Sequence, residues 1–129
     1  MQTESRGPEV AAHEELLRAI TCLSWWVSAE KRVSSAAFTV TSPFSVHVRS
    51  LTTDSEFLGK FAEGAGAVMF ICGPARAIGF DTRHESDEYD PDDRAHAHVY
   101  YDPNQGKRKT NAKKLALMTI AIKEPTAPE

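Results

Sequence analysis

Six consecutive residues, Ala67, Val68, Met69, Phe70, Ile71 and Cys72, offer no polar position that could turn toward water. Side chains alternate between the two faces of a strand, so an uninterrupted apolar run of this length reads as a central strand buried on both sides. A second segment is patterned differently. From Phe44 to Arg49, Phe44, Val46 and Val48 fall on one face and Ser45, His47 and Arg49 on the other, as in a half-buried strand with His47 and Arg49 on its polar side.

Around these two strands the remaining elements are assigned by spacing and punctuation. Pro8 near a helix start, early acids, and Val10, Leu16, Leu17, Ile20 and Leu23 predict a helix from Pro8 to about Leu23, with a strand over Leu16 to Ile20 as the alternative. Thr53 or Asp54 can cap a short helix over Ser55 to Glu63, ended by Gly64. Gly73-Pro74 reads as a turn joining the central strand to Ala75–Asp81 in a hairpin. Ala95 to Tyr101 is a further strand. Leu115, Met118, Thr119 and Ile122 line one side of a helix expected over Asn111 to Ile122. Mixed elements with short connections define an α+β fold: a single domain over residues 9–122, with a twisted, mostly antiparallel sheet packed by two or three helices. Residues 1–8 read as a flexible leader and 123–129, which bear two prolines, as a flexible tail.

At 129 residues the chain can bury roughly two-thirds of its unfolded surface, so neither disulfides nor a metal is needed for folding. Cys22 and Cys72, fifty residues apart in apolar surroundings, are expected to be reduced and buried, which points to a cytoplasmic protein. The N-terminus has no secretion signal, and the longest apolar run is far shorter than the roughly 20 residues that span a bilayer. A net charge of −3 disfavours a general affinity for nucleic acid or membrane.

That average conceals a separation of charge. Glu85, Asp87, Glu88, Asp90, Asp92 and Asp93 form a run without a base, whereas Lys107, Arg108, Lys109, Lys113 and Lys114 form a run without an acid. Two solvated loops are the simplest reading, and a bipolar docking surface the sharper one. Trp25 and Trp26 cannot share one side of a regular strand, so one is expected in the core and the other as a surface anchor. Trp25, Trp26, Lys107, Arg108 and Lys109 are therefore the candidate interaction surface for a protein partner. The bases lack interleaved aromatics, and nucleic acid is the less favoured partner.

The candidate chemistry lies in the same region as the acid run. His96 and His98 are two apart in a strand and project from one face, the presentation used by sheet-borne metal sites. His84, His47 or a carboxylate of the acid run could complete a divalent-metal site, with His96, His98 and His84 as the candidate ligands. Without a metal, His47, His96, His98 and Arg49, joined by Lys107, are the residue types that phosphodiester cleavage requires, namely a base, an acid and a cation. Related patterns do not match: Arg94 and Tyr100 occupy the alternate positions where a histidine-triad hydrolase has its third histidine, and the acid run lacks the sixth-position glycine of a helix-loop-helix calcium loop.

Two resemblances accompany these readings. Leu16-Leu17-Arg18, a tryptophan, Arg32 to Phe38 (Arg-Val-Ser-Ser-Ala-Ala-Phe) and Ala95 to Val99 (Ala-His-Ala-His-Val) are similar to segments of a widespread group of small bacterial proteins with no assigned activity, which implies a bacterial or phage-related origin. Arg18 in an early strand, with Ser34 and Ser35 before an aromatic residue, resembles NAD-using ADP-ribosyltransferase domains; their late-strand glutamate has no counterpart between Ala95 and Tyr101. The leading expectation is a small accessory or interaction protein. A His-centred enzyme, either a phosphodiesterase or ribonuclease or a degenerate ADP-ribosyltransferase-like domain, is the alternative.

Overall fold

The computed structural model describes residues 7–39, 41, 43–85 and 95–126. Its backbone is one six-stranded antiparallel sheet, a small two-stranded sheet and three α-helices, an α+β fold with helices on both faces. In chain order the elements are β1 (Glu15–Ile20), β2 (Trp26–Val27), β3 (Arg32–Val33), β4 (Phe44–Val48), α1 (Asp54–Leu58), β5 (Gly66–Ile71), α2 (Cys72–Ala77), β6 (Phe80–His84), β7 (His96–Tyr101), α3 (Arg108–Leu117) and β8 (Ile120–Lys123). The large sheet has the order β6-β7-β4-β1-β5-β8, and β2 pairs with β3.

The apolar run at 67–72 is the interior strand that its composition demands: β5 lies between β1 and β8, and Gly66 to Phe70 are all buried. β1 is equally central. Leu16 and Ile20 enter one apolar cluster and Leu17 and Ala19 the other, so the strand alternative over Leu16 to Ile20 holds in place of the expected helix. The reason is legible in hindsight, because apolar doublets at 16–17 and 19–20 satisfy helical spacing as well as they satisfy a strand covered on both faces.

Two other expectations are corrected. β5 does not form a hairpin with the next strand: the chain turns into α2, where Pro74 occupies the third helical position and its missing N–H costs nothing, and β6 lies at the far edge of the sheet, beside β7 and away from β5. The last helix stops at Leu117. Thr119 Oγ1 donates to the Ala116 carbonyl at 2.8 Å, and Ile120 to Lys123 then pair with β5. Two isoleucines in four residues favour the strand.

The larger cluster, on one face, holds Val33, Phe38, Phe44, Val46, Phe70, Phe80, Val99 and Leu115 beneath α2, α3 and the 3-10 turn Ser35–Phe38. The smaller contains Leu17, Ala19, Phe57, Ala67 and Met69 beneath α1 and its following loop. Thr53 caps α1, its hydroxyl accepting from the Glu56 N–H at 3.1 Å. Near the termini, Val10 N donates to Thr82 O and Thr126 N to Gly64 O. Residues 7–10 thus line the β6 edge and Thr126 closes over the loop before β5, while 1–6 and 127–129 lie outside the described residues. Cys72 is buried and Cys22, expected to be buried, is exposed. No helix among the described residues is long and apolar enough to cross a membrane.

Candidate functional site

The register between β4 and β7 decides which histidines meet. His47 lies opposite His96, and alternation along β7 places His98 and Tyr100 on the same face. The ring centres of His47 and His96 are 5.4 Å apart and those of His96 and His98 4.8 Å, so three imidazoles form a continuous row. His47 is not on a solvated polar face as its pattern suggested. It is 6% exposed, held edge-on by Phe57 at 5.0 Å and Phe61 at 6.5 Å. His96 Nδ1 is buried and has no hydrogen-bond partner among the described residues.

The row continues toward β6. Arg83 faces His98 and Asp81 faces Tyr100 in the β6–β7 register. Glu85 donates its backbone N–H to the His96 carbonyl, accepts from the Tyr100 hydroxyl at 2.9 Å, and brings Oε1 to 3.8 Å from His98 Nδ1. Asp81 accepts from Arg76 at 2.7 Å and from Arg83 at 2.8 Å. Burial pushes its carboxyl up, but these hydrogen bonds and charges outweigh burial and hold it below the ordinary carboxylate range. Because the folded pKa is depressed, Asp81 stabilises the fold above its unfolded value of about 3.9, and the contribution disappears as the pH falls through the folded value. Asp81→Asn should therefore cost roughly 2 kcal/mol at pH 7 and flatten the decline in stability below pH 4; urea melts at pH 7 and at pH 3 measure both effects.

The remaining candidates lie elsewhere. His84 is opposite Ala97, a residue of the larger core, so it projects to the other side of the sheet from His96 and His98 and does not complete a set with them. Arg49 is gripped by Asp54 through two hydrogen bonds of 3.0 and 2.8 Å, with Glu15 at 3.7 Å, and is not available as the cation of the histidine row. Lys107 precedes α3, which packs on the opposite face. The acids from Asp87 to Asp93 lie outside the described residues. Among the described residues, no three His, Cys, Asp or Glu side chains are already grouped as a metal cage. The Glu85–Tyr100–His98 grouping was not found from sequence, because nothing at 85 distinguishes it from the acids that follow.

A second region gathers the interaction candidates. Trp25 and Trp26 are both half-buried against the larger core, rather than one inside and one outside. Trp25 stacks on Arg18, whose guanidinium lies 5.3 Å from that ring and 5.1 Å from the Phe44 ring. Arg18 donates to the carbonyls of Ala37 and Ser45, and Ser34 and Ser35 belong to a 3-10 turn and its cap, not to a strand. On α3, Arg108 donates to the Thr39 carbonyl, whereas Lys107, Lys109, Lys113 and Lys114 are exposed. Just past them Leu117, Met118 and Ile120 are 71%, 40% and 58% exposed. This apolar group was hidden in the sequence by the expectation that the helix continued through it. A cleft of about 220 Å³ bounded by Ile20, Leu23, Ala62 and Pro125 contains none of the histidines.

The fold and its two surfaces define an α+β protein with a histidine row on one sheet face and, on α3 and the turn after it, exposed lysines followed by exposed Leu117, Met118 and Ile120. No protein-family model, curated protein or solved structure matches the chain.

Proposed function

We propose that this chain is a small accessory protein that docks an acidic protein partner through the outer face of α3 and the turn into β8. The observation that carries this reading is the contiguity of exposed Leu117, Met118 and Ile120 with exposed Lys109, Lys113 and Lys114. Apolar side chains surrounded by charge are the anatomy of a docking site, with binding energy at the centre and orientation from the rim. Four exposed lysines and no acid from 107 to 117 select a partner with carboxylates around an apolar anchor. A cytoplasmic, bacterial or phage-type setting accords with the two unpaired cysteines and with the resemblance of the Arg32–Phe38 and Ala95–Val99 segments.

The test uses a fluorescein-labelled peptide with leucine and phenylalanine between glutamates, measured by anisotropy, with a DNA duplex of equal charge as competitor. Leu117→Glu and the double change Lys113→Glu/Lys114→Glu should each weaken peptide binding at least tenfold, with a steeper salt dependence in the wild type. Unchanged affinity in both variants, or tighter binding of the duplex, overturns the reading.

A second reading, a His-centred phosphodiesterase, draws support from the adjacency of His47, His96 and His98. Metal-free cleavage of an RNA oligonucleotide that is lost in His96→Gln would favour it over docking as the primary role.

A further inference from the structure

We propose that the acidic partner docks by adding an extended strand to the outer edge of β8, so that the large sheet gains one strand from another chain. This inference rests on the α3 docking reading and specifies how that partner is held. The two edges of the large sheet differ. At the β6 edge the chain supplies its own cover: His84 N donates to Pro8 O, Val10 N donates to Thr82 O, and Glu9 pairs with Arg83 in an antiparallel bridge. At the other edge β8 pairs with β5 on its inner side, and among the described residues no strand and no backbone hydrogen bond reaches its outer side. Such an edge presents a row of backbone donors and acceptors that another extended segment satisfies. β3 comes near β8 from the side of the larger core, where Val33 is buried, yet Ile120, Ala121 and Lys123 are all exposed.

The flanking side chains select the occupant. Met69, in the smaller core, lies opposite Ile120, and Val68, in the larger core, lies opposite Ala121, so Ile120 is on the α1 side of the sheet and Ala121 on the α3 side. An added strand alternates in the same way. One set of its side chains runs beside Ile120, which is 58% exposed, and the other enters the α3 side, where Lys113 and Lys114 stand exposed near the end of the helix that leads into β8. Apolar residues alternating with acids match both sides at once. Lys107, Arg108, Lys109, Lys113, Lys114 and Lys123 fall in one stretch that contains no acid. A second copy of the chain brings the same bases to the same edge, and like charges oppose that pairing. The irregular register between Ala67 and Val68 and the four-residue length of β8 keep the added strand short.

The probe is the fluorescein-labelled peptide with leucine and phenylalanine between glutamates, prepared also as a series with a single backbone N-methyl group at each successive position. N-methylation removes one amide donor and blocks close approach of the edge. Strand addition predicts alternation: methylation at every second position should weaken binding about tenfold or more, and at the intervening positions, whose amides face away, should leave it within about twofold. A helical occupant loses affinity at every interior position, and one held by its side chains alone at none. Hydrogen exchange followed by NMR gives the protein's side of the test. With peptide bound, the outward amides between Ile120 and Lys123 should exchange about tenfold or more slowly, while those at the β6 edge keep their rates. Peptide binding that Leu117→Glu weakens, but that shows no alternation and no added protection of β8, upholds the α3 docking and overturns strand addition; absence of peptide binding overturns both. Self-association of the protein that the peptide disperses assigns the edge to a second copy and also overturns the proposal.

Discussion

Phe38→Ala should lower the stability of this protein by about 3 to 5 kcal/mol, the range for removing a fully buried aromatic ring. Phe38 is 0% exposed and touches both halves of the larger core, with ring centres 5.5 Å from Phe44 on β4 and 6.0 Å from Phe70 on β5. It sits in the 3-10 turn Ser35–Phe38, which is pinned at its start by the Ser34 hydroxyl accepting from the Ala36 N–H. The ring therefore plugs a site framed by two interior strands and α3, and the short turn that carries it cannot move inward to fill the void. For a domain of this size the loss corresponds to a fall in melting temperature on the order of 10 °C or more. Thermal melts followed by circular dichroism measure it; a change below 1 kcal/mol would mean that the turn collapses and that the core is less fixed than its contacts indicate.

Arg18 is the second large effect, and the choice of replacement matters. Its guanidinium is the missing rung between β1 and β4: the paired register of these strands ends at Leu17↔His47, and the Arg18 side chain then reaches the Ser45 carbonyl at 3.1 Å. The Nε and Nη2 groups grip the Ala37 carbonyl at 3.1 and 2.9 Å, tying β1 to the turn that holds Phe38. Burial lowers the guanidinium pKa to about 10, so it remains charged at neutral pH. Arg18→Ala abandons two carbonyls and opens a gap between Trp25 and Phe44, at an expected cost of about 2 to 4 kcal/mol. Arg18→Met keeps much of the volume and removes the cost of desolvating a cation, and should cost less than half as much. Urea denaturation of both variants gives the comparison. Equal losses would show that the hydrogen bonds, not the packing between the rings, carry the stabilisation.

Much of this architecture could be read in the chain, and the failures share a cause. The Phe44–Val48 strand, the interior strand at 66–71 and the Thr53 cap came from patterns set locally, by alternation, uninterrupted apolarity and side-chain capping. β1 was ambiguous because burial on both faces erases the period of two. α2 was read as a hairpin turn and α3 was carried too far, because packing on the larger core and pairing with β5 override the local signal at Gly73-Pro74 and at Thr119–Ile122. The site divides the same way. That His96 and His98 share a face follows from their spacing, but the approach of His47 and the departure of His84 depend on strand register, which two residues of sequence spacing cannot encode. Glu85 meets Tyr100, fifteen residues away, and His98 only through the fold.

The strand order also governs how the chain can assemble. β1 is first among the strands of the large sheet, yet its neighbours are β4, roughly thirty residues downstream, and β5, roughly fifty; β4 in turn waits for β7. Closing loops of that length before any contact repays the entropy makes such pairings slower than local ones. β1 is thus synthesised with both of its partners still to come. During that interval Leu16, Leu17 and Ile20 have neither neighbouring strand beside them, and the histidine row comes into being only when β7, the last strand it needs, has joined the sheet.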